Sequence, residues 1–492
     1  MRRIRSGIAA VLALSLAGSA AANDLSARLD LALRNRALRD ASIGVLVVAQ
    51  DGGRVLYERL PDRALTPASN QKILTAIAAL SAFGPAHRFV TEVYADAPAD
   101  ANGGVDVLAI RGGGDPSLTS EMYWRMASDL RLLGIRKVRK GLLLDPSAFD
   151  AERWHPDWGE TSARAYHGPI AALTANYSAF SATVKAGSMP GEPVSVLLDP
   201  PVAYLRLSNN ATTGDRKAAT SLAVDRLPAK TTTVDHGFVG HAENVIVTGV
   251  VRAARESKAY HRSVLDPVRY AGSVLRAMLE ANGISVAGED HIGAIPDAMV
   301  SLLEFEGKSL ADVVQLFLKY SNNTMAEMLV KALGVHGAGE GSWSAGIAAM
   351  RAELERLGIA VEGLSIVDGS GLSYQNRVTP RALVSALRIA KDSFDFGPEF
   401  VAALPIASAD GTLEKRTKGA ADRVRAKTGL LTRVTSLSGY ALSADGQPLV
   451  FSILVNGFAS SDEAAMAAVD QFASELTKSR ILGAPDRDQG AR

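Results

Sequence analysis

The sequence contains no cysteine in its 492 residues. That absence excludes disulfide bridges, thiolate metal ligands and a cysteine nucleophile. None of the eight histidines stands in an HExxH motif or in a pair at helical spacing, so the sequence does not indicate a zinc peptidase. There is also no Gly-x-Ser-x-Gly motif to support an α/β-hydrolase. We predict a protein that uses no metal and no cofactor.

Long apolar runs are also missing from the sequence. A short apolar run stands near the amino terminus. There, three arginines precede an apolar run at residues 8–14, and small residues follow up to Ala22, which is typical of a secretory signal peptide. A bilayer span needs about 20 apolar residues. We therefore expect cleavage near Ala22, export, and no stable membrane span. Removing residues 1–22 changes the formal charge from +1 to −2, so the sequence gives no reason to propose nucleic acid as a partner.

The remaining chain mixes helical and strand patterns. Asp51 and Gly52 mark the turn of a β-hairpin at 41–59, and a second antiparallel meander follows at 424–455. Residues 178–260 consist of short alternating runs and predict a mainly β module. The predicted helices lie at 24–40, 73–80, 118–133, 267–282, 309–320, 325–333, 343–357, 379–392 and 462–478. We predict an α+β fold in which the hairpin and the meander close one antiparallel sheet flanked by helices.

Ser69 and Lys72 stand three residues apart at the start of an apolar helical run. Ser69 is the only serine in the chain with a lysine at this spacing. Residues so spaced lie on the same side of a helix, and a hydroxyl beside an amine at the positive end of a helix suits an activated nucleophile. An ordinary capped helix with a surface lysine would give the same pattern. The motif alone therefore leaves both interpretations open.

Two later motifs carry further reactive groups. Ser321 and Asn323 lie in a break between two predicted helices, where helix capping is the simpler interpretation. Lys427, Thr428 and Gly429 lie on a predicted strand, and the glycine would let the backbone of another chain come close. Each motif is weak by itself.

Together, the motifs Ser-x-x-Lys, Ser-x-Asn and Lys-Thr-Gly occur in the order and structural contexts found in penicillin-binding proteins and serine β-lactamases. The 251 residues between Ser69 and Ser321 leave room for extra domains. The chain resembles class C low-molecular-mass penicillin-binding proteins of the penicillin-binding protein 4 type, peptidase family S13. The blocks that carry this resemblance are TPASNQK (66–72), GGDP (113–116), DGSGLS (368–373), LPIA (404–407), DGTL (410–413) and AKTG (426–429).

The resemblance implies a penicillin-recognising, transpeptidase/β-lactamase-like domain at 23–90 and 300–492. It further implies an α/β insert domain at 91–177 and 261–299, with a mainly β domain nested in it at 178–260. The implied function is that of a periplasmic D-Ala-D-Ala carboxypeptidase/endopeptidase. Its substrates would be peptidoglycan stem peptides that end in D-Ala-D-Ala, and β-lactams would acylate it. A homodimer is one candidate quaternary state.

The same resemblance implies roles for five polar residues. Ser69 would be the nucleophile and Lys72 the base, and the neighbouring Lys427 would lower the pKa of Lys72 from the free-lysine value of about 10.4. Ser321 would pass a proton to the leaving amine. Asn323 would hold the side-chain amide of the substrate and keep Lys72 in place. Lys427 would also attract the carboxylate of the substrate.

The Lys-Thr-Gly strand would complete the binding site. Thr428 would orient the substrate carboxylate, Gly429 would allow a close approach, and the backbone N–H groups of Ser69 and Leu430 would form the oxyanion hole. Relatives usually carry Ser or Thr where Leu430 stands, so Thr428 is left to contact the carboxylate. Arg433 stands where a small residue is more usual.

Two other functions share these motifs. A β-lactamase is one, and the large insertion argues against it. A non-catalytic wall-binding or sensor protein is the other, and the intact motifs argue against that.

Overall fold

The computed structural model describes residues 24–228, 233–235, 238–240 and 242–481. The expected signal peptide, residues 1–22, lies outside the described residues. In chain order the described helices are α1 (24–33), α2 (Gln71–Phe83), α3 (Ser120–Leu132), α4 (Pro267–Ala281), α5 (Leu310–Tyr320), α6 (Asn323–Ala338), α7 (Trp343–Arg356), α8 (Pro380–Asp392), α9 (Gly397–Ala403) and α10 (Asp462–Lys478).

The strands alternate with these helices. They are β1 (Ser42–Ala49), β2 (Val55–Arg59), β3 (Arg88–Ala95), β4 (Gly104–Gly112), β5 (Lys137–Asp145), β6 (Ala179–Lys185), β7 (Ser195–Asp199), β8 (Leu205–Gly214), β9 (Ala223–Pro228), β10 (Thr233–Asp235), β11 (Phe238–Gly240), β12 (Glu243–Arg252), β13 (Lys258–Ser263), β14 (Ser285–Val286), β15 (His291–Ile292), β16 (Val300–Ser309), β17 (Val424–Leu431), β18 (Val434–Leu442) and β19 (Pro448–Asn456).

The chain divides into two compact units. Unit 1 comprises the residues up to Ala86, Leu310–Asn322 and the residues from Ile347 onward. Unit 2 comprises His87–Ser309 and Asn323–Gly346.

Unit 1 is built on a five-stranded antiparallel sheet in the order β17-β18-β19-β1-β2. The two distant parts of the chain meet where β1 pairs with β19, with Val45 opposite Ile453. This pairing confirms the predicted sheet formed from the early hairpin and the late meander. β17 is an edge strand, and an isolated bridge from Ile406 to Arg425 covers its first half.

Helices cover both faces of this sheet. Val45 and Val47 share a hydrophobic core with Phe472 of α10, and α8 packs against β1 and β19. Leu46, between the two valines, is buried as well. A continuous apolar run such as that of β1 is what a strand buried on both faces requires. Helix α2 packs against α5 and α8.

Several helix starts follow the capping rules. The side chains of Asp266, Thr379 and Ser461 accept hydrogen bonds from backbone N–H groups in the first turns of α4, α8 and α10. Such caps satisfy donors that the helix itself leaves without partners, and a following proline fits the first helical position of α4 and α8.

Unit 2 holds a mixed sheet in the order β14-β5-β4-β3-β16, with β15 also pairing with β5. Two three-stranded sheets, β8-β12-β9 and β13-β6-β7, and the pair β10–β11 account for the predicted β-rich stretch. Phe180 and Val245 of that stretch share one core cluster with Leu142 of β5 and Val274 of α4. The further division into nested domains at 178 and 260 stays a prediction.

Most predicted elements are present, with a few differences. Strand β16 and the short helix α9 were not predicted, and residues 68–70 form a 3-10 turn ahead of α2. Across the described part of the chain, no helix combines the length and the apolar character needed to span a membrane.

Candidate active site

Ser69 lies in a single 3-10 turn, Ala68–Asn70, directly before α2. Ala68 has a φ of 47°, in the left-handed region that non-glycine residues rarely occupy. Such a conformation persists only where the surroundings hold it, and it is frequent at functional sites. The turn leaves Ser69 half-buried, while Lys72 in the first turn of α2 is 0% exposed.

The amine of Lys72 contacts the hydroxyl of Ser69. Its Nζ donates to Ser69 Oγ at 3.2 Å and to the carbonyl oxygen of Ser370 at 2.8 Å. A buried lysine needs such polar partners because burial without them is costly. The predicted Ser–Lys pair is therefore present, and the lysine points into the protein instead of into solvent.

A second serine–lysine pair lies in the same unit. Lys427 Nζ on β17 donates to Ser321 Oγ and to the carbonyl of Thr428, each at 2.8 Å. Ser321 follows the end of α5 and has a φ of 58°, so a strained residue forms the break between the helices. Asn70 Nδ2 donates to the carbonyl of Lys427 at 3.0 Å and joins the nucleophile turn to β17.

Electrostatics at this site disfavour a second positive charge. Burial lowers the pKa of Lys427 well below its ordinary value, and the charges of Lys72 and Arg416 lower it further. Because two ammonium groups repel each other in a buried site, the pair favours a form in which one amine is neutral. A neutral amine is what general base catalysis requires of a lysine.

Gly429 allows the strand and the nucleophile turn to come close. A Cβ at this position would lie 2.8 Å from the carbonyl oxygen of Pro67 and 3.1 Å from the side chain of Ala68. Ser436 Oγ on β18 donates to the same Pro67 carbonyl at 2.6 Å. The nucleophile turn of the same chain therefore lies close to Gly429, and the approach of another chain's backbone there stays a prediction.

A further hydroxyl lies beside Thr428 and was not predicted. Thr428 Oγ1 donates to Thr412 Oγ1 at 2.8 Å. Thr412 belongs to the DGTL block, whose presence in the resemblance was the only sequence signal for it. Asp410 of that block accepts a hydrogen bond from Lys319 at 2.6 Å, which fixes the block against the end of α5. Two hydroxyl groups therefore stand together at Thr428.

The two departures from the usual pattern have different surroundings. Leu430 is 44% exposed on the edge strand. Arg433 adopts a φ of 58° in the β17–β18 turn and donates to the carbonyls of Phe458 and Gly457. The arginine therefore holds the turn against the segment after β19.

Asn323 is the remaining predicted residue, and it lies in unit 2 at the first position of α6. Its Nδ2 donates to the carbonyl of Tyr166 at 2.9 Å, within that unit. Its proposed contacts to substrate and to Lys72 stay predictions. Among the described residues, no group of three or more His, Asp or Glu side chains is placed to hold a metal ion.

Unit 1 combines an antiparallel sheet closed from two distant parts of the chain, helices that cover the sheet, and two serine–lysine pairs. Ser-x-x-Lys, Ser-x-Asn and Lys-Thr-Gly motifs together are typical of the penicillin-recognising serine enzymes. The model of the D-Ala-D-Ala carboxypeptidase 3 (S13) family matches residues 25–477. The chain is 37% identical to a D-alanyl-D-alanine carboxypeptidase of Actinomadura sp. (strain R39), with 98% of this chain and 89% of the relative aligned.

Solved structures agree. Penicillin binding protein 4 (dacB) from Haemophilus influenzae matches with a TM-score of 0.75 at 25% identity, covering 91% of this chain and 98% of that one. The same protein complexed with a novel β-lactam matches with a TM-score of 0.72 at 24% identity, covering the same shares. The chain therefore belongs to the D-Ala-D-Ala carboxypeptidase 3 (S13) family and is a serine-type enzyme of that class. The predicted family and fold class are confirmed.

Proposed function

We propose that the protein removes the terminal D-Ala from peptidoglycan stem peptides through a covalent acyl-enzyme on Ser69. The observation that carries this proposal is the presence of two serine–lysine pairs in one unit, Ser69 with Lys72 and Ser321 with Lys427. One pair suits attack on the peptide, and the other suits protonation of the leaving group.

Acylation begins when Lys72, in its neutral form, takes the proton of Ser69 at 3.2 Å. Ser69 Oγ then bonds to the carbonyl carbon between the two D-Ala residues, which gives a tetrahedral intermediate. Backbone N–H groups of Ser69 and Leu430 would hold the oxyanion, each contributing about 3 kcal/mol.

Departure of D-Ala requires a proton on its amine as the C–N bond breaks. Ser321 supplies that proton and recovers one from Lys427, its partner at 2.8 Å. The lowered pKa of Lys427 makes its ammonium a readier donor. Before this proton transfer, the anionic carboxylate of the bound substrate favours the protonated form of Lys427. Water then hydrolyses the acyl-serine.

The substrate carboxylate would bind at Lys427 and Thr428. Position 430 carries no hydroxyl, and the proximity of Thr412 to Thr428 supports a contribution from this second threonine. Charge-assisted hydrogen bonds to a carboxylate are the stronger kind, so a paired hydroxyl anchor suits recognition of a free carboxyl terminus. Asn323 would hold the substrate amide.

A β-lactam presents a strained copy of the scissile amide and would leave a slowly hydrolysed acyl-serine. Labelling with a fluorescent penicillin, bocillin, tests the nucleophile. Wild-type protein should label and Ser69→Ala should not. Covalent labelling of Ser69→Ala would show that the nucleophile is assigned wrongly.

The relay through Ser321 has its own test. Ser321→Ala should slow acylation by about 100-fold or more, because a general acid–base group contributes about 10²–10⁴. The melting temperature should stay nearly unchanged. An unchanged acylation rate would exclude this role.

We also propose export to the periplasm and activity on crosslinked peptides as an endopeptidase. Support for export is the amino-terminal pattern ending near Ala22. Mass spectrometry of purified crosslinked and uncrosslinked muropeptides after incubation separates the two activities. Absence of D-Ala release would favour the binding or sensor function, and rapid turnover of penicillin would favour a β-lactamase.

A further inference from the structure

The loop between α7 and α8 carries buried polar residues that the proposed mechanism does not use. Asp368, Ser370, Ser373 and Asn376 are each 0% exposed, although they belong to a connecting segment. Connecting segments normally lie on the surface because their polar groups need partners. A fully buried polar loop is therefore held in one conformation by internal hydrogen bonds.

The carboxylate of Asp368 organises this loop. Its Oδ1 accepts from the backbone N–H of Gly371 at 2.7 Å and from Asn376 Nδ2 at 2.8 Å. Its Oδ2 accepts from the backbone N–H of Ser373 at 2.7 Å. Asn376 Oδ1 in turn accepts from the backbone N–H of Val367 at 2.9 Å. One carboxylate thus fixes the chain on both sides of Ser370.

The fixed loop directs two carbonyl groups at α2. The Ser370 carbonyl accepts from Lys72 Nζ at 2.8 Å, and the Gly369 carbonyl accepts from Thr75 Oγ1 at 2.7 Å, one helical turn further on. Gly371 lies against the nucleophile turn, since a Cβ there would meet the Ala68 carbonyl oxygen at 1.9 Å. The loop therefore touches both the base and the turn that carries Ser69.

We propose that Asp368 is a positioning residue for the general base and acts through the Ser370 carbonyl. This inference rests on the proposed role of Lys72. A neutral amine has two N–H groups and one lone pair. When one N–H is held by the Ser370 carbonyl, the lone pair has fewer orientations and can be directed at Ser69 Oγ. After proton transfer the same carbonyl stabilises the ammonium.

The test measures acylation by bocillin over a range of concentrations, which gives a maximal rate constant and a half-saturation concentration. Asp368→Asn keeps the size of the side chain but turns an N–H toward a backbone donor. We expect the maximal rate constant to fall about 10- to 100-fold, as small misplacements of reacting groups do. The half-saturation concentration should stay within about twofold, because no group that binds substrate is changed.

The pH profile gives a second readout that loss of stability alone would not move. Losing the carboxylate and the oriented carbonyl disfavours the ammonium form of the base, so the acid limb of the acylation rate should move to lower pH. Lys427 and Arg416, the cations that act on the same site, are unchanged in every variant.

Asp445→Asn is the matched control. Asp445 also fixes a turn in unit 1, by accepting from Ser443 Oγ and from the backbone N–H of Ile481 at 2.9 Å. It should lower the melting temperature without changing acylation. An equal loss of acylation in this control would assign the effect to general destabilisation and overturn the proposal.

Thr75→Val supplies a second variant that keeps side-chain shape and removes the bond to Gly369. We expect a decrease of about threefold in the maximal rate constant, the size of a modest hydrogen bond. Wild-type rates and pH profile in the folded variants would overturn the positioning role. Loss of labelling in Ser69→Ala would in that case leave the acyl-enzyme proposal standing. If Asp368→Asn does not fold, wild-type acylation by Thr75→Val overturns the inference by itself.

Discussion

The hydroxyl of Thr412 gains importance because Leu430 offers none. Leu430 is an aliphatic residue on an edge strand, where it can only add apolar surface. Thr412 stands 2.8 Å from Thr428, so a carboxylate bound at one hydroxyl is within reach of the other. We therefore expect Thr412 to supply the second hydroxyl in place of residue 430.

Replacement of this hydroxyl should weaken recognition of a free carboxyl terminus. Thr412→Val should lower kcat/KM for a D-Ala-D-Ala peptide by about tenfold, because a hydrogen bond to a charged group contributes about 1.5–3 kcal/mol. The matched variant Thr412→Ser should stay within about twofold. Steady-state kinetics with both variants checks this, and a wild-type kcat/KM for Thr412→Val would contradict it.

Lys427 should lower the free energy of unfolding because its amine is fully buried near two other cations. Its folded pKa is depressed, whereas the unfolded chain has a lysine pKa of about 10.4. Between these values the unfolded state binds the additional proton, so this residue lowers wild-type stability as pH falls. The penalty is absent above about pH 10.4 and present at pH 7.

Lys427→Met should therefore raise the melting temperature at pH 7 while abolishing acylation. Each kcal/mol recovered should add about 2–4 °C for a unit of this size. The gain over wild type should shrink toward pH 10, where the wild-type penalty fades. Thermal melts of both proteins at pH 7 and pH 10 measure the difference in melting temperature. A gain that does not depend on pH would show that the depressed pKa of Lys427 is not its cause.

The sequence predicts the reacting residues but not their hydrogen-bond partners. Ser-x-x-Lys and Lys-Thr-Gly name Ser69 and Lys427, yet the contact between Lys427 and Ser321 joins positions 106 residues apart. It depends on the left-handed conformation of Ser321, which no local preference of serine predicts. Partners of this kind are set by tertiary packing.

Among the elements, the nucleophile turn shows how packing overrides local preference. The spacing of Ser69 and Lys72 predicts a helix, but Ala68 takes a positive φ and residues 68–70 form a 3-10 turn. Alanine favours a right-handed helix, so only its surroundings hold this conformation. Gly371 and Gly429 provide those surroundings by lying against the turn from two sides.

The contact between β17 and this turn leads to a prediction for Gly429. In Gly429→Ala the new methyl group would lie 2.1 Å from Ser436 Oγ and 2.8 Å from the Pro67 carbonyl, so β17 and the turn must separate. We expect acylation by bocillin to slow by about 100-fold, the effect of roughly 1 Å of misplacement. Gly293→Ala is the control, because a Cβ there would meet only Leu143 Cδ1 at 3.8 Å, an ordinary van der Waals contact. Equal acylation in wild type and Gly429→Ala would contradict the argument.

The two elements that were not predicted have weak sequence patterns, and each weakness has a physical reason. β16 is held by its pairing with β3, from about 200 residues earlier, and its sequence mixes acidic residues with apolar ones. Helix α9 has only seven residues, which is too short for a clear helical period. The central sheet of unit 1 was predictable because both faces are covered, which leaves continuous apolar strands.

For the molecule as a whole, the most consequential feature is that, among the described residues, each unit contains a hydrophobic core of its own. One core lies in unit 1 and includes Val45, Phe451 and Phe472. The other lies in unit 2 and includes Leu142 and Val245. Units with their own cores can unfold as separate cooperative transitions. Calorimetry of the full chain should therefore resolve two transitions.

Glu243 provides a marker for unit 2. Burial raises the pKa of its carboxyl to about 7, and this outweighs the guanidinium of Arg226, which approaches only to 3.6 Å. An unfolded glutamate titrates near about 4.3. The folded pKa is the higher one, so the stabilising contribution is complete below about pH 4.3 and is lost as pH rises through about 7.

Glu243→Gln should remove this pH dependence from one of the two transitions. At pH 4, below the unfolded pKa, the carboxyl is mostly neutral in both the folded and the unfolded state, so the wild type and the glutamine variant should melt together. At pH 8 the variant should be more stable by on the order of 3–4 kcal/mol. Lys427→Met should shift the other transition, because Lys427 lies in unit 1. Calorimetry of wild type and both variants at pH 4 and pH 8 makes the assignment, and a single transition shifted by both substitutions would show that the two units unfold together.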